Sequence, residues 1–252
     1  MVPSINILIP MAGLGSRFDL THPGEFKPYI DVGNGISMIE TVILNNNQIP
    51  NSRFIFVVRK ELPDKKLRRI CEYYNINHEI IAVDKLTEGP ACTCLAAENF
   101  INTSVPLGIT NCDQVTYDLD INSLFLFAEI KNADGILGTF NSVSPKNSYV
   151  KLNDNGEIIE VKEKVVISNI ATNGFHFWKS GNLFVDSVKQ MILSEERYNN
   201  EFYVAPSYNH LIKQGHKILP YNYNLHFPIG APDDLESFKK ILNKTKKWTF
   251  SK

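Results

Sequence analysis

The first residues able to do chemistry stand in PMAGLGSRF, residues 10–18, followed nine positions later by Lys27 in KPY. Glycines directly after an apolar run let backbone N–H groups approach oxyanions that a Cβ would hold away, so Gly13 to Ser16 read as a phosphate cradle. Three kinds of cradle compete. A dinucleotide loop needs G-x-G-x-x-G, but Phe18 fills the third glycine position and no acidic residue follows the second strand at the expected distance. A Walker A loop closes on G-K-[ST], which Ser16-Arg17 does not supply. What remains is Gly13-x-Gly15-x-Arg17 with Lys27 in a later K-P, an arrangement that sets two cations beside a nucleoside triphosphate. Much further along, Asn111, Cys112 and Asp113 form a polar cluster at the end of another apolar run.

The elements that must position these groups follow from hydrophobic periodicity. INILI (5–9), RFIFVV (53–58), EIIAV (79–83) and PLGIT (106–110) are short apolar runs, the pattern of strands buried on both faces. Between them, SMIETVILNN opens at Ser37 with Glu40 three residues later, a capping box. PDKKLRRICEYY (63–74) reads as a surface helix, and PACTCLAAENF (90–100) as a helix with Pro90 in its first turn. Strands alternating with helices at this spacing imply parallel pairing through right-handed crossovers. The fold class is therefore α/β, a doubly wound, largely parallel mixed sheet whose site lies beyond the carboxyl ends of its strands. The glycine loop and Asp113 both lie at such ends, so two distant segments are predicted to meet.

Beyond residue 140 the pattern changes. SYVKL and EIIEV flank NDNG (153–156), a hairpin signal with Gly156 at positive φ. TNGFHFW (172–178) reads as a further strand. Helices follow over 181–194 and 206–214, the second closed by Gly215, then a strand over 217–223 and a last helix from PDDLESFKKIL. No repeat, low-complexity segment or linker interrupts the chain, so residues 1–252 read as a single domain.

Composition narrows the function classes. With 43% hydrophobic and 21% charged residues the chain is of ordinary globular type, and a formal charge of −1 argues against wholesale nucleic-acid binding. The basic KKLRR (65–69) lies on an amphipathic helix without interleaved aromatics and reads as a solvated face. No run approaches a membrane span and MVPSINILIP lacks signal-peptide features, which makes a cytoplasmic location the expectation. Cys71, Cys92, Cys94 and Cys112 show no C-x-x-C spacing and read as thiols in a reducing compartment. His22, His176 and His210 lack ligand or triad spacing, and Trp248 and Phe250 in the tail are expected to fray or to dock on a neighbour.

IPMAGLGSRF, EFKPYIDV and SMIETVI together resemble the nucleotidyltransferase (sugar-nucleotide pyrophosphorylase) family, whose pattern is an apolar strand, A-G-x-G-S-R, K-P, and a P-M-I helix. TEGPACTCLAA (87–97) is similar to the family's segment beside base and ribose, and GITNCDQV (108–115) to the strand that ends in the magnesium-binding aspartate. SYVKLNDNGEIIEVKEKVVISNIATNGFHFWKSG resembles the hairpin, E-K and N-x-G acceptor region, and NEFYVAPSYNHLI the segment closing the acceptor pocket. The likeness spans nearly the whole chain and keeps motif order. It is nearest to a subgroup associated with capsule and surface-polysaccharide genes.

The resemblance implies attack by an acceptor phosphate on the α-phosphorus of a nucleoside triphosphate, with pyrophosphate leaving. Residues 1–140 would form the nucleotide-binding half, and 141–252 the acceptor-binding half and C-terminal helix. Gly13, Leu14, Gly15 and Ser16 would hold the nucleotide phosphates, Arg17 the β/γ oxygens and Lys27 the charge developing on the α-phosphoryl group. Asp113 would bind Mg²⁺, with Mn²⁺ as the alternative, and Asn111 would line the same site; the plain alternative for Asp113 is a strand-end cap. Met11, Ala12, Glu88 and Gly89 would select the base. Glu163, Lys164, Asn173, Gly174 and Glu201 would bind the acceptor, against plain readings as a charge run, a kinked strand and an exposed loop acid. The subgroup implies CTP and a small phosphorylated acceptor such as phosphoglutamine, while UTP or dTTP with a sugar 1-phosphate is the family alternative.

Two departures stand out. The family's second metal-binding aspartate belongs in HFPIGAPDDL (226–235), where Pro228 takes its place; either Asp113 with the nucleotide oxygens suffices, or His226 or Asp233 completes the coordination. Val165 replaces the proline of E-K-P. A non-catalytic nucleotide-binding regulator of the same fold is the competing class, opposed by the presence of Arg17, Lys27 and Asp113. An NAD-dependent oxidoreductase is opposed by Phe18.

Overall fold

The computed structural model describes residues 4–49 and 51–244; Trp248 and Phe250 lie outside them. The first strand, β1 (Asn6–Met11), is followed by 3-10 turns at Ser16–Phe18 and Lys27–Tyr29, the short pair β2 (Asp31–Gly33) and β3 (Ile36–Ser37), and helix α1 (Met38–Asn46). Ser37 Oγ accepts from Glu40 N–H while Ser37 N–H donates to Glu40 Oε2, the reciprocal cap the sequence predicts. Then come β4 (Arg53–Arg59), α2 (Asp64–Tyr73), β5 (His78–Val83), α3 (Pro90–Leu95), α4 (Glu98–Ile101) and β6 (Leu107–Ile109). The helix expected over 90–100 thus breaks after Leu95. Ala97 is pressed into the core there, an instance of packing overriding good helix propensity.

The second half holds β7 (Gln114–Thr116), α5 (Ile121–Lys131), β8 (Gly135–Asn141), β9 (Ser148–Leu152), β10 (Ile158–Glu163) and β11 (Ile170–Trp178). It closes with α6 (Gly181–Leu193), a 3-10 turn at Ala205–Ser207, α7 (Tyr208–Lys213), β12 (Ile218–Asn222), β13 (His226–Pro228) and α8 (Pro232–Lys244). Of these, β2, β3, β7, β8, β13 and α5 were not expected. β7, β13 and the β2/β3 pair are two or three residues long, too short to show a period.

β6, β1, β4 and β5 pair in parallel, with Leu8 opposite both Ile55 and Ile109. Alternation then sorts the side chains. Ile7, Ile9, Phe54, Phe56 and Val58 face a core closed by α1, α2 and α5, while Leu8, Ile55 and Val57 face one closed by α3, α6 and α7. This is the period-2 burial of a sheet covered on both sides.

β11 runs antiparallel and decides where the sheet opens. β8 follows one edge over both ends of β11, so the other edge is divided. His176 to Trp178 pair with β6, whereas Ala171 pairs with Tyr149 of β9. Between these ends the register against β8 shifts, and the sheet parts at Asn173 to Phe175, just past the end of β6.

A third, smaller core lies under the loop after β1. Phe18, Ile30, Met38, Val115, Ile229, Leu235 and Phe238 meet there. Burial of such side chains is worth roughly 1.5–3 kcal/mol each. The third core therefore fastens α8 and the β7/β13 ribbon to the glycine loop.

Candidate functional site

Three loops converge at the carboxyl ends of β1 and β6. The first leaves β1 at Ala12, reaches Gly15 at φ +73° and turns through Ser16–Phe18, whose Phe18 is buried in the third core. Anchoring Phe18 leaves Gly13, Leu14, Ser16 and Arg17 on the surface. Met11 and Ala12 are buried at the strand end.

The second loop carries Lys27. Pro28 sits within its 3-10 turn, and Tyr29 Oη donates to the carbonyl of Pro63 at 2.8 Å, so the backbone around Lys27 is tied on the next residues. The third follows β6 and carries Asn111 to Gln114. Lys27 Nζ donates to Asp113 Oδ2 at 2.5 Å, with side-chain exposures of 16% and 25%.

The glycine loop and the Asp113 segment, expected to meet, come together through Lys27, since a Cβ on Gly15 would stand 3.0 Å from Lys27 Cβ while Lys27 holds Asp113. Burial alone would push the Lys27 ammonium down, but the Asp113 carboxylate overrides it and holds the group above the ordinary lysine value, against the opposing charge of Arg17. Cys112 beside it is pushed up to about 12 by burial and stays a neutral thiol.

β13 passes directly along this loop. His226, Phe227 and Pro228 lie opposite Thr116, Val115 and Gln114, and Ile229 N–H donates to the Asp113 carbonyl at 2.9 Å. At Gly230 the backbone comes so close that a Cβ would stand 2.5 Å from Asp113 Oδ2. Pro228 supplies no second carboxylate. His226 is pushed down to about 4 by burial, against the pull of Asp113 and Asp118, and its Nδ1 lies 3.4 Å from Thr116 Oγ1. Asp233 is exposed in the first turn of α8. Among the described residues no three His, Cys, Asp or Glu side chains form a metal-ligating group.

The opening in the sheet supplies the next layer. Asn173 is buried, donates to Thr116 Oγ1 at 3.1 Å and accepts from Phe175 N–H at 3.0 Å. Gly174 has φ +80°, and a Cβ on it would run into the Gln114 amide and stand 2.7 Å from Asn111 Nδ2. Asn111 Nδ2 in turn donates to Gln114 Oε1 at 3.3 Å, and Gln114 Nε2 is buried without a protein partner. Asp113 is thereby connected to β11 through its neighbours.

A second charged cluster forms where β9 and β10 meet the segment after α6. Glu163 is buried, accepts from Ser148 Oγ, and is pushed up by burial against the opposing effects of Ser148 and Lys164. Lys164, in the left-handed region at φ +53°, donates to Tyr203 Oη at 2.7 Å, and Tyr203 Oη donates to Glu201 Oε2 at 2.6 Å. Phe202 bonds through its backbone to Glu88 and Ala91, which brings the 87–91 and 201–203 segments side by side. Glu88 itself is taken by Arg197 at 2.6 Å.

Sequence reasoning passed over Gln114, Thr116, Tyr198, Tyr203 and Arg197. Gln114 follows Asp113 directly, and YNNE (198–201) carries a turn signal that could have found the tyrosines. Elsewhere His176 is buried against Trp178 and Tyr208 and His210 lies 3.3 Å from Glu196, while Lys65, Lys66, Arg68 and Arg69 line an exposed helix face. No helix among the described residues is long and apolar enough to cross a membrane.

Residues 7–218 match the family model described as nucleotidyl transferase. No curated protein matches the chain by sequence. Among solved structures, a nucleoside-diphosphate-sugar pyrophosphorylase from Vibrio cholerae RC9 is 23% identical with a TM-score of 0.80, over 93% of this chain and 99% of that one. An inositol-1-phosphate CTP transferase from T. maritima is 14% identical with a TM-score of 0.73, over 99% and 98%. A UDP-glucose pyrophosphorylase complexed with UDP-glucose is 16% identical with a TM-score of 0.76, over 97% and 99%. At these identities the likeness is one of fold.

Proposed function

From the chain's membership of the nucleotidyl transferase family, to which it belongs over residues 7–218, we propose that this enzyme joins CTP to a small phosphorylated acceptor in capsule or surface-polysaccharide synthesis. The Lys27–Asp113 ion pair carries the reading, because it joins the turn packed against Gly15 of the glycine loop to the acid after β6.

An oxygen of the acceptor phosphate attacks the α-phosphorus. A new P–O–P bond forms, the bond from the α-phosphorus to the β-bridging oxygen breaks, and pyrophosphate leaves with the electron pair. Both reactants are polyanions, so cations must offset their repulsion. The loop N–H groups of residues 13–16 and the Arg17 fork take the β/γ oxygens, and Lys27, released from Asp113, takes the α-phosphoryl oxygens. Met11 and Ala12, with Glu88 and Gly89, face the base; Glu163, Lys164, Asn173, Gly174 and Glu201 orient the acceptor.

Asp113 fits a divalent ion: its Oδ2 already holds a cation, and the bare Cα of Gly230 leaves room beside it. Mg²⁺ commonly takes one or two carboxylates plus phosphate oxygens, so Asp113 with the triphosphate suffices in place of a two-carboxylate site. When bound there, Mg²⁺ supplies neutralising charge and orientation to the triphosphate.

CTP rests on the subgroup likeness and on a fold shared with a CTP transferase that is named for a phosphorylated cyclitol. The same geometry accommodates UTP or dTTP with a sugar 1-phosphate. Pyrophosphate release, measured with the four nucleoside triphosphates against a panel of phosphorylated acceptors, tests the reading. Arg17→Ala, Lys27→Ala and Asp113→Ala should each lower kcat by about 10²–10³-fold. Nucleotide binding without turnover on any acceptor would leave the regulator reading instead.

A further inference from the structure

We propose that the groove between α1, α2 and the β2/β3 hairpin is a second ligand site, separate from the triphosphate site. It takes a mononucleotide, with a phosphate dianion at Lys66 and Arg69 and an aromatic base against Tyr73 and Tyr74.

Helical periodicity divides the basic run of α2. Lys66, Arg69, Ile70 and Tyr73 stand at i, i+3, i+4 and i+7, share one face of the helix and line a groove of about 510 Å³. Lys65 and Arg68 lie off that face, and Arg68 reaches back to Asp64 at 3.3 Å. The other walls come from Glu40 and Leu44 of α1 and from the turn of the β2/β3 hairpin, where Asn34 and Gly35 sit at φ +58° and +74°. The volume falls in the range of sites for small organic ligands.

The cations in this groove have donors to spare. Among the described residues no carboxylate stands within ion-pair reach of Arg69 or Lys66, and the Lys66 ammonium rests 4.7 Å from the ring centroid of Tyr29. The acid in the wall, Glu40, is already engaged. It accepts from Ser37 N–H and Oγ as the cap of α1, and from the Tyr74 hydroxyl. An ammonium and a guanidinium side by side match the charge and the oxygens of a phosphate monoester.

The same groove offers aromatic surface. The rings of Tyr73 and Tyr74 stand edge to face, 4.8 Å apart at 85°, and Tyr73 is 67% exposed. Ile36, Leu44 and Ile70 add apolar lining. A tyrosine face beside such a lining takes a planar base by stacking. From Lys66 to Tyr73 the helix rises roughly 10 Å, a spacing that a nucleotide bridges from phosphate to base. A bare anion would leave the tyrosines uncovered, and an uncharged ring would leave Lys66 and Arg69 unmatched. Together the two features select a ligand that carries both.

The groove also backs onto the turn of Lys27. Tyr29, beneath the Lys66 ammonium, shares that 3-10 turn and donates to the carbonyl of Pro63 at the start of α2. An anion that draws Lys66 into the groove takes it from Tyr29, so occupancy reaches the turn of Lys27.

Calorimetric titration of the full chain with CMP tests the site. Two binding events are expected in the wild type. Arg69→Ala and Tyr73→Ala should each weaken one of them at least tenfold, spare the other and leave kcat unchanged. Cytidine and ribose 5-phosphate, each carrying half of the ligand, should bind the groove at least tenfold more weakly than CMP. Binding that neither substitution alters, or a groove that holds ribose 5-phosphate or cytidine as well as CMP, overturns the proposal. A single event that both substitutions weaken retains the groove and removes the nucleotide from the transferase site. As an inhibitor, CMP should be mixed against CTP in the wild type and competitive in Arg69→Ala; competitive inhibition in both overturns the link to Lys27.

Discussion

Lys27 and Asp113, 86 residues apart in sequence, are joined by a 2.5 Å hydrogen bond between ammonium and carboxylate. Each neutralises a charge that the fold has partly withdrawn from water. Removing one partner strands the other, so Lys27→Met and Asp113→Asn should each lower stability by about 1–3 kcal/mol, between the values for exposed and fully buried pairs. The double variant should cost less than the sum, with a coupling on the order of 1 kcal/mol in urea unfolding. Strict additivity would show that the contact carries no energy.

Gly174 tests the opening in the sheet. Its φ of +80° disfavours any side chain, and a Cβ would push into Gln114 and Asn111, the residues that flank Asp113. Gly174→Ala should cost about 1–3 kcal/mol through backbone strain and the displaced amides. It should also raise KM for the acceptor more than for the nucleotide. An alanine variant with wild-type stability and kinetics would show that the approach of β11 to Asp113 is immaterial.

Much of this arrangement is legible in the chain. The runs at INILI and RFIFVV gave buried strands because alternate residues face two cores, and Ser37 with Glu40 gave the start of α1 because the cap is local. That the glycine loop and Asp113 lie at one end of the sheet followed from the alternation of strands and helices, while Lys27 beside them was read from the K-P pattern and the family resemblance. Gln114 and Thr116 escaped because their importance arises from β13 lying alongside them, a pairing more than a hundred residues long in sequence separation with no local signal. Tyr198 and Tyr203 escaped for a different reason: Lys164, a residue far from them in sequence, reaches over both rings.

His176 gives the fold a dependence on pH. Buried beside Trp178 and Tyr208, it is pushed down to about 3 by burial, whereas the unfolded chain titrates near 6.5. Its contribution is intact above pH 6.5. As pH falls from 6.5 towards 3, the unfolded chain takes up a proton that the folded one refuses, and stability drops by about 1.4 kcal/mol per unit, on the order of 4 kcal/mol in all. His176→Phe should flatten the plot of urea midpoint against pH over that window. Parallel plots for the two proteins would assign the acid sensitivity to other groups.

Pro228 offers a gain rather than a loss. It is exposed, lies opposite Gln114 in the β7/β13 ribbon, and precedes Ile229, whose N–H binds the Asp113 carbonyl. A carboxylate introduced there, where the family resemblance puts a second metal ligand, costs little folding energy, because the position is exposed and the chain is already extended. Pro228→Asp should therefore add an oxygen ligand and lower the half-saturating Mg²⁺ concentration about tenfold, a change of about 1.4 kcal/mol. The measurement is pyrophosphate release against Mg²⁺ at fixed CTP and acceptor. Combining Pro228→Asp with Asp113→Asn supplies the control, since the new carboxylate can only assist a metal that Asp113 helps to hold. An unchanged Mg²⁺ requirement in the single variant, or an equal gain in the combined one, would move the metal away from Asp113.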